Sequence, residues 1–200
     1  MCRIFTISAL SLATIDAGVP AGTNRPYQVI ASKPNIGAIA RAERAGIPVA
    51  VVERAKRSIA AFSIDVYRPI RERKADLVIL GGFLSLLDIP KDFEARVINI
   101  HPSLIPAFCG KGFHGERVHK AAIDAGVKVS GCTVHFADQT YDTGPIIVQR
   151  VVPVLEHDTP HDLAARVFEA ECEALPEAIR LFSEGRLRIE GPRVRIQSNV

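Results

Sequence analysis

The residues most able to do chemistry lie in the middle of the chain, in the sequence VINIHPSLIPAF that begins at Val97. Asn99 and His101 alternate with apolar residues, so a strand here places both polar side chains on one face near its carboxyl end. Pro102 ends that strand because it has no backbone N–H to donate. An amide and an imidazole presented together can stabilise an oxyanion and handle a proton, as acyl-type chemistry requires. The alternative is a buried Asn and His that only satisfy backbone groups.

Two further stretches are candidates to join this pair. DQTYDTGP begins at Asp138 and separates two apolar segments, and its Asp142 is well placed to be held in a tight turn. The alternative for Asp142 is a turn-forming residue that bonds its own backbone. GGFLSLL begins at Gly81 and continues apolar side chains past a strand end. These side chains either line a pocket for a flat ring or form a connector packed on the core.

The elements that must position these residues alternate between strand and helix. Strands are predicted at Tyr27–Ala31, Pro48–Val52, Asp76–Leu80, Val97–Ile100, Lys128–Phe136 and Ile146–Val154. Four helices are predicted. The first runs from a cap at Asn35 to Ala45, and the second covers Ile59–Ile70 with a kink or early end at Pro69. The third ends at Ala125, and the fourth runs from a cap at Thr159 through Pro176. The alternation indicates an open, mostly parallel, doubly wound α/β sheet, in which ligands bind at the carboxyl ends of the strands.

The two ends of the chain differ in how clearly they are patterned. The first residues fit either a strand over Met1–Ile7 followed by a helix over Ala9–Ala17, or one helix throughout. The carboxyl end fits a hairpin of Arg186–Glu190 and Arg193–Ile196 around a Gly-Pro turn. We expect a single domain over residues 1–200.

Composition narrows the functional class. The chain has 200 residues, of which 48% are apolar and 24% charged, and this is typical of a globular protein. A net charge of +3 is too small to indicate a nucleic-acid or membrane partner. The four cysteines lack metal-binding spacing, so free thiols are expected, and Cys109 would need a nearby base to act as a nucleophile. Without a signal-peptide cleavage site or an apolar span, a cytoplasmic location is predicted.

Together these stretches resemble the formyltetrahydrofolate-dependent formyltransferase family. NIHPSLIP from Asn99 and YDTGPII from Tyr141 carry the resemblance, which runs from about Ile36 to Leu187. The N-x-H and D-x-G-P motifs are specific as a pair, although either alone is weak. The resemblance implies the Rossmann-like formyltransferase fold with a carboxyl-terminal hairpin.

The resemblance also implies residue roles. Asn99 and His101 would polarise the formyl oxygen, and Asp142 would orient His101 or a water that carries the proton of the attacking amine. Glu171 matches a position that contacts the amine substrate. The folate's pterin would be surrounded by Leu84, Leu86, Leu87 and the backbone of residues 138–142, which include Asp138 and Tyr141.

The implied activity is transfer of a formyl group from 10-formyltetrahydrofolate to the amine of phosphoribosylglycinamide in purine biosynthesis. It implies direct attack, no metal, small-molecule partners and a monomer or homodimer. One alternative is a formyltetrahydrofolate deformylase, which VKVSGCT from Val127 resembles, although Pro102 favours the transferase. Another is a folate-binding protein without turnover. Nucleic-acid binding through the arginines of the terminal hairpin is disfavoured because no aromatic residues interleave with them.

One departure from the family concerns the phosphate. In the family, the first strand leads into a glycine-rich loop that holds the ribose phosphate with free backbone N–H groups. In this sequence Ala9-Leu10-Ser11 follows that strand, and Gly18 is the first glycine. The loop from Ala107 to Gly115 is also longer than in the shorter members of the family. Either the phosphate is held differently, the substrate differs, or this amino terminus is truncated or altered.

Overall fold

A computed structural model describes residues 2–8 and 26–198, and within these residues nine strands form one sheet. The strands are β1 (Ile4–Ser8), β2 (Pro26–Ala31), β3 (Val49–Val51), β4 (Leu77–Gly81), β5 (Val97–His101), β6 (Val129–Phe136), β7 (Ile146–Pro153), β8 (Leu187–Glu190) and β9 (Arg193–Ile196). Their order across the sheet is β3-β2-β1-β4-β5-β6-β7-β9-β8. The first five run parallel, and β6 and β7 then pair antiparallel. The prediction of an open, mostly parallel sheet is confirmed.

Helices cover both faces of this sheet. They are α1 (Gly37–Arg44), α2 (Ile59–Glu72), α3 (Glu116–Asp124) and α4 (Pro160–Ser183), with a short 3₁₀ turn at Lys91–Phe93. Leu77 and Ile79 of β4 pack in one cluster with side chains of α4, whereas Val78 and Leu80 pack in another with side chains of α2. A strand buried on both faces has to be apolar at every position, which explains the continuous run in β4.

Some local predictions were wrong. Asn35 does not cap α1, since Ile36 occupies the N-cap position without a side-chain hydrogen bond and Asn35 has a left-handed φ of 59°. Helix α2 does not end early at Pro69 but continues to Glu72, and Ile70 after the proline is still buried in the core. Strand β4 begins at Leu77 and includes Gly81, which was expected to end it.

Helix α4 begins where its cap was predicted. The side chain of Thr159 accepts from the backbone N–H of Asp162, and the Asp162 carboxylate accepts from the N–H of Thr159. Pro176 is buried inside the helix, which continues to Ser183 and packs on β6 and β7. The apolar side chains of α4 lie in one core cluster with side chains of β1, β4, β5, β6 and β7.

The two ends of the described chain also match prediction. Strand β1 confirms the strand of the first alternative for the amino terminus, whereas the helix predicted at Ala9–Ala17 lies outside the described residues. Strands β8 and β9 form the predicted hairpin, and β9 meets β7 at Ile146 and Arg193. Within residues 2–8 and 26–198, no helix is long and apolar enough to cross a membrane.

Candidate active site

The site is built at the boundary where the sheet changes from parallel to antiparallel. Strand β5 pairs with β4 in parallel and with β6 in antiparallel orientation, and Asn99 lies directly opposite His135 of β6. Residues directly opposite each other in a ladder project from the same face. Asn99, His101 and His135 therefore project together, and His101 and His135 are almost completely buried.

Asp142 joins these three side chains. Its Oδ1 accepts from Asn99 Nδ2 at 3.3 Å, and its Oδ2 accepts from the backbone N–H of Gly110 at 2.8 Å. Nδ1 of His101 lies 3.6 Å from Oδ2, and Nε2 of His135 lies 3.6 Å from Oδ1. The structure thus brings together the three predicted catalytic residues Asn99, His101 and Asp142.

The loop that carries Asp142 is held tightly against the sheet. Asp142 has a left-handed φ of 58°, a conformation that Asp tolerates better than most residues. A Cβ at Gly144 would lie 1.8 Å from the carbonyl oxygen of Phe136, so no larger residue fits without moving the loop. The glycine of the D-x-G-P motif therefore fixes the approach of the loop to β6 and, with it, the position of the carboxylate.

The surroundings of His101 and Asp142 determine the charge of each side chain. Nε2 of His101 lies 3.0 Å from the Phe108 carbonyl, which can only accept, so this nitrogen carries the proton of the neutral ring. Burial lowers the pKa of His101, and the nearby Asp142 carboxylate and the Phe108 carbonyl offset only part of that effect. Burial alone would raise the pKa of Asp142, but His135, the charge of His101 and the N–H of Gly110 outweigh it and lower that pKa. A neutral imidazole and a carboxylate at neutral pH follow.

A cavity of about 910 Å³ opens beside these four side chains. Its walls come from the ends of β1, β4 and β5, from the loop before α3 and from one face of α4. Of the predicted binding residues, Leu84, Tyr141 and Glu171 line the cavity. A volume of this size is in the range of sites that enclose small-molecule ligands.

Three predicted contact residues lie elsewhere. Leu86 and Leu87 are not part of the cavity wall, and Leu87 is buried in the core beside α2. Asp138 is also outside the wall, and its carboxylate accepts hydrogen bonds from Thr140 and Thr143. Contact of these three residues with a pterin ring remains a prediction.

Two side chains of the cavity wall carry polar atoms that have no partner among the described residues. Glu171 of α4 makes no hydrogen bond or ion pair with any part of the chain that the structure describes, and burial raises its pKa to about 7. His119 of α3 is 4% exposed, and its Nδ1 has no hydrogen-bond partner among residues 2–8 and 26–198. Burial lowers the pKa of His119, and the charge of His101 lowers it further.

Sequence reasoning missed His119 and His135. His135 belongs to a strand that was predicted correctly, but the register of that strand against β5 decides whether its imidazole meets Asn99. The backbone N–H of Gly110 and the carbonyl of Phe108 were also missed. Their roles follow from the path of the loop after Pro102, which no local pattern specifies.

Other candidate chemistries find little support. Cys109 donates to the Pro106 carbonyl, and burial and the charge of Asp142 raise its pKa, so it is not an activated thiolate. No cluster of three or more metal-ligating side chains occurs in the described ranges. In the terminal hairpin, Arg188 and Arg195 form ion pairs with Glu190, as expected of a solvated face.

An open sheet with an Asn–His–Asp group at the edge of a ligand-sized cavity is typical of an enzyme, and comparison with known proteins identifies the family. Residues 9–179 match the formyl transferase family model, so the chain belongs to the formyl transferase family. This assignment agrees with the resemblance drawn from the two motifs.

Individual relatives carry more specific names than the family does. The chain is 42% identical over 162 residues to the chloroplastic phosphoribosylglycinamide formyltransferase of Vigna unguiculata, a match that covers 80% of this chain and 52% of the relative. The chain thus spans about half the length of this curated relative. It is 40% identical to glycinamide ribonucleotide transformylase 1 of Symbiobacterium toebii, with a TM-score of 0.87 over 99% of this chain and 95% of that one. A formyltetrahydrofolate deformylase from Pseudomonas syringae shares the fold at 23% identity, with a TM-score of 0.85 over 98% of this chain and 66% of that one.

Proposed function

We propose that this chain transfers the formyl group of 10-formyltetrahydrofolate to the primary amine of phosphoribosylglycinamide, a step of purine biosynthesis. The observation that carries the proposal is the contact of Asn99, His101 and Asp142 at the edge of the cavity. Two relatives named for this activity, one of them matched along nearly its whole length, support the choice of substrate. A location in the cytoplasm and a monomeric or homodimeric state are further predictions.

In this proposal Asn99 stabilises the oxygen of the formyl group by a hydrogen bond, and His101 stabilises it by the positive charge of its imidazolium form. Attack by the amine turns the formyl carbon tetrahedral and places negative charge on that oxygen. Hydrogen-bond donors fixed in advance around such an oxygen lower the barrier because they need no reorganisation during the reaction. Asn99 supplies an N–H by exchanging its 3.3 Å bond to Asp142 for one to the formyl oxygen.

His101 and Asp142 move the proton. The attacking amine forms a bond to the formyl carbon and must lose a proton, while the bond from that carbon to the folate nitrogen breaks and that nitrogen must gain one. Because Nε2 of His101 is bonded to the Phe108 carbonyl, the second ring proton enters at Nδ1, which faces Asp142. The carboxylate stabilises the imidazolium that forms, directly or through a water, and the proton then passes to the leaving folate nitrogen.

Binding groups for the two substrates flank these residues. Glu171 is available to accept hydrogen bonds from the amine substrate, because it has no partner among the described residues. Leu84 and Tyr141 offer apolar and aromatic surface to the folate. We assign Leu86, Leu87 and Asp138 to the pterin site as well, on the resemblance alone.

The test is a formyl-transfer assay with 10-formyltetrahydrofolate, with and without phosphoribosylglycinamide, that follows release of the deformylated folate. Release that requires the amine supports the proposal. Equal release without the amine indicates the deformylase. Absence of release, with the folate still bound in calorimetry, indicates a binding protein or another acceptor. The matched control is Asp142→Asn, which keeps the size of the side chain and should slow release at least about 100-fold in either enzymatic case.

A further inference from the structure

We propose that His135 is a positioning residue for the transfer reaction: it holds the Asn99 amide with its N–H edge turned toward Asp142 and the reacting oxygen. The inference rests on the proposed function and adds a fourth side chain to the three predicted ones. It is drawn from the hydrogen bonds on either side of the His135 ring and from the place of that ring opposite Asn99 in the sheet.

The first step concerns the tautomer of His135. Its Nδ1 lies 2.9 Å from the backbone carbonyl of Phe136, and a carbonyl oxygen can only accept. The proton of the neutral ring is therefore on Nδ1, and Nε2 carries a lone pair. His135 is 1% exposed, so bulk water does not compete for either nitrogen.

The second step concerns the orientation of Asn99. Its Nδ2 lies 3.1 Å from the lone pair of His135 Nε2 and 3.3 Å from a carboxylate oxygen of Asp142. Both partners are acceptors, and the amide nitrogen has two hydrogens to give. Turning the amide by 180° would place its own oxygen against a carboxylate oxygen and a lone pair, with neither contact able to form a hydrogen bond. The N–H edge is thus fixed by two acceptors.

The third step concerns which of the two acceptors keeps its hydrogen bond to the Asn99 amide during the reaction. Asp142 also faces Nδ1 of His101, so its carboxylate is drawn toward that ring when the ring takes up a proton. The bond from Asn99 to Asp142 is the longer of the two and is the one that the formyl oxygen replaces in the proposed reaction. In this tautomer Nε2 of His135 is an acceptor, and direct pairing of Asn99 with His135 across β5 and β6 holds the two side chains at a constant spacing. His135 therefore keeps the amide oriented after Asp142 has released it.

A set of variants tests this role. His135→Leu removes the acceptor, and we expect kcat to fall about 10-fold to 100-fold, less than the loss of a direct oxyanion donor, while KM changes little for either substrate. His135→Gln places an amide oxygen where Nε2 was and should restore most of the lost rate. Ser130→Ala is the matched control, because Ser130 is a buried residue of the same strand and lies outside the cavity wall. Its hydroxyl has no hydrogen-bond partner among the residues that the structure describes.

Equal kcat for His135→Leu and the wild type would overturn the inference, and so would failure of His135→Gln to exceed His135→Leu. A wild-type protein without transfer activity would instead overturn the proposed function. If His135→Leu does not fold, ¹⁵N NMR of the histidine side chains in the wild type decides. We expect the Nδ1–H tautomer for His135, and an Nε2–H tautomer would contradict the inference whatever the activity.

Discussion

The cavity has two walls that differ in how their polar groups are paired. On the paired wall, made by β5, β6 and the Asp142 loop, the side chains of Asn99, His101, Asp142 and His135 all contact one another or the backbone. On the open wall, made by α3 and α4, neither Nδ1 of His119 nor the Glu171 carboxyl has a hydrogen-bond or ion-pair partner within residues 2–8 and 26–198.

This difference in pairing indicates that the paired wall carries out the reaction and the open wall binds the substrate. Groups that already hold each other in place need no reorganisation when charge develops, and this is the property that lowers a reaction barrier. A buried polar group without a partner is costly in the free protein and gains most when a ligand supplies the missing bond. We therefore expect substitutions on the paired wall to lower kcat, and substitutions on the open wall to raise the KM of the amine.

The largest effect is expected from His101→Ala or Asp142→Ala. Each removes one half of the pair that handles the proton, and general acid–base groups contribute about 10²-fold to 10⁴-fold in rate. We expect kcat to fall by that amount while folate binding, measured by calorimetry, largely survives. Near-normal turnover in either variant would remove that residue from the mechanism.

Next in size is Asn99→Ala. The variant removes the amide donor to the formyl oxygen but leaves His101 and Asp142 in place, so kcat should fall by about 10²-fold to 10³-fold. Steady-state kinetics with both substrates saturating measures it. A variant that changes only the KM of the folate would mean that Asn99 binds the ground state and the transition state equally well.

On the open wall, Glu171→Gln should raise the KM of the amine about 10-fold above pH 7, where the wild-type side chain is a carboxylate. Burial raises the pKa of Glu171 to about 7, so the wild-type carboxyl is neutral below that pH and the difference between the variants should disappear. The measurement is KM of the amine from pH 6 to pH 9. A pH-independent difference would contradict the assignment.

The same substitution has an opposite effect on the free protein. The folded pKa of Glu171 lies above its unfolded value of about 4.5, so the folded state binds more protons between those two values and stability falls as pH rises from 4.5 to 7. Glu171→Gln should therefore stabilise the ligand-free protein above pH 7 by about 1–2 kcal/mol, allowing for solvent in the cavity. Denaturant unfolding at pH 4.5 and pH 8 measures this, and equal gains at both values would exclude the buried carboxylate as the cause.

The smallest effect is expected from Thr159→Ala, which removes the cap of α4 and touches neither wall. Loss of an N-cap side chain costs about 1 kcal/mol of folding stability. Thermal unfolding should show the loss while kcat stays unchanged. A fall in kcat would mean that the cap of α4 affects the rate of the reaction. The functions of the two walls would then not be separate.

A feature could be predicted from the sequence when residues close to it along the chain determine it. The Thr159 cap is local, because Pro160 and Asp162 reinforce it within four residues, whereas Asn35 has no such support and does not cap α1. Asn99 and His101 were found because they share one strand. His135 meets them only through a strand register, and His119 only through the packing of α3. These long-range arrangements are decided by tertiary packing.

The most direct test of the division between the walls is the single-turnover rate of formyl transfer with the amine saturating, compared between Asp142→Asn and Glu171→Gln at pH 8. Saturation removes differences in amine binding, so the rate reports chemistry alone. We expect Glu171→Gln to match the wild type and Asp142→Asn to be at least about 100-fold slower. A slow Glu171→Gln beside a fast Asp142→Asn would contradict the account.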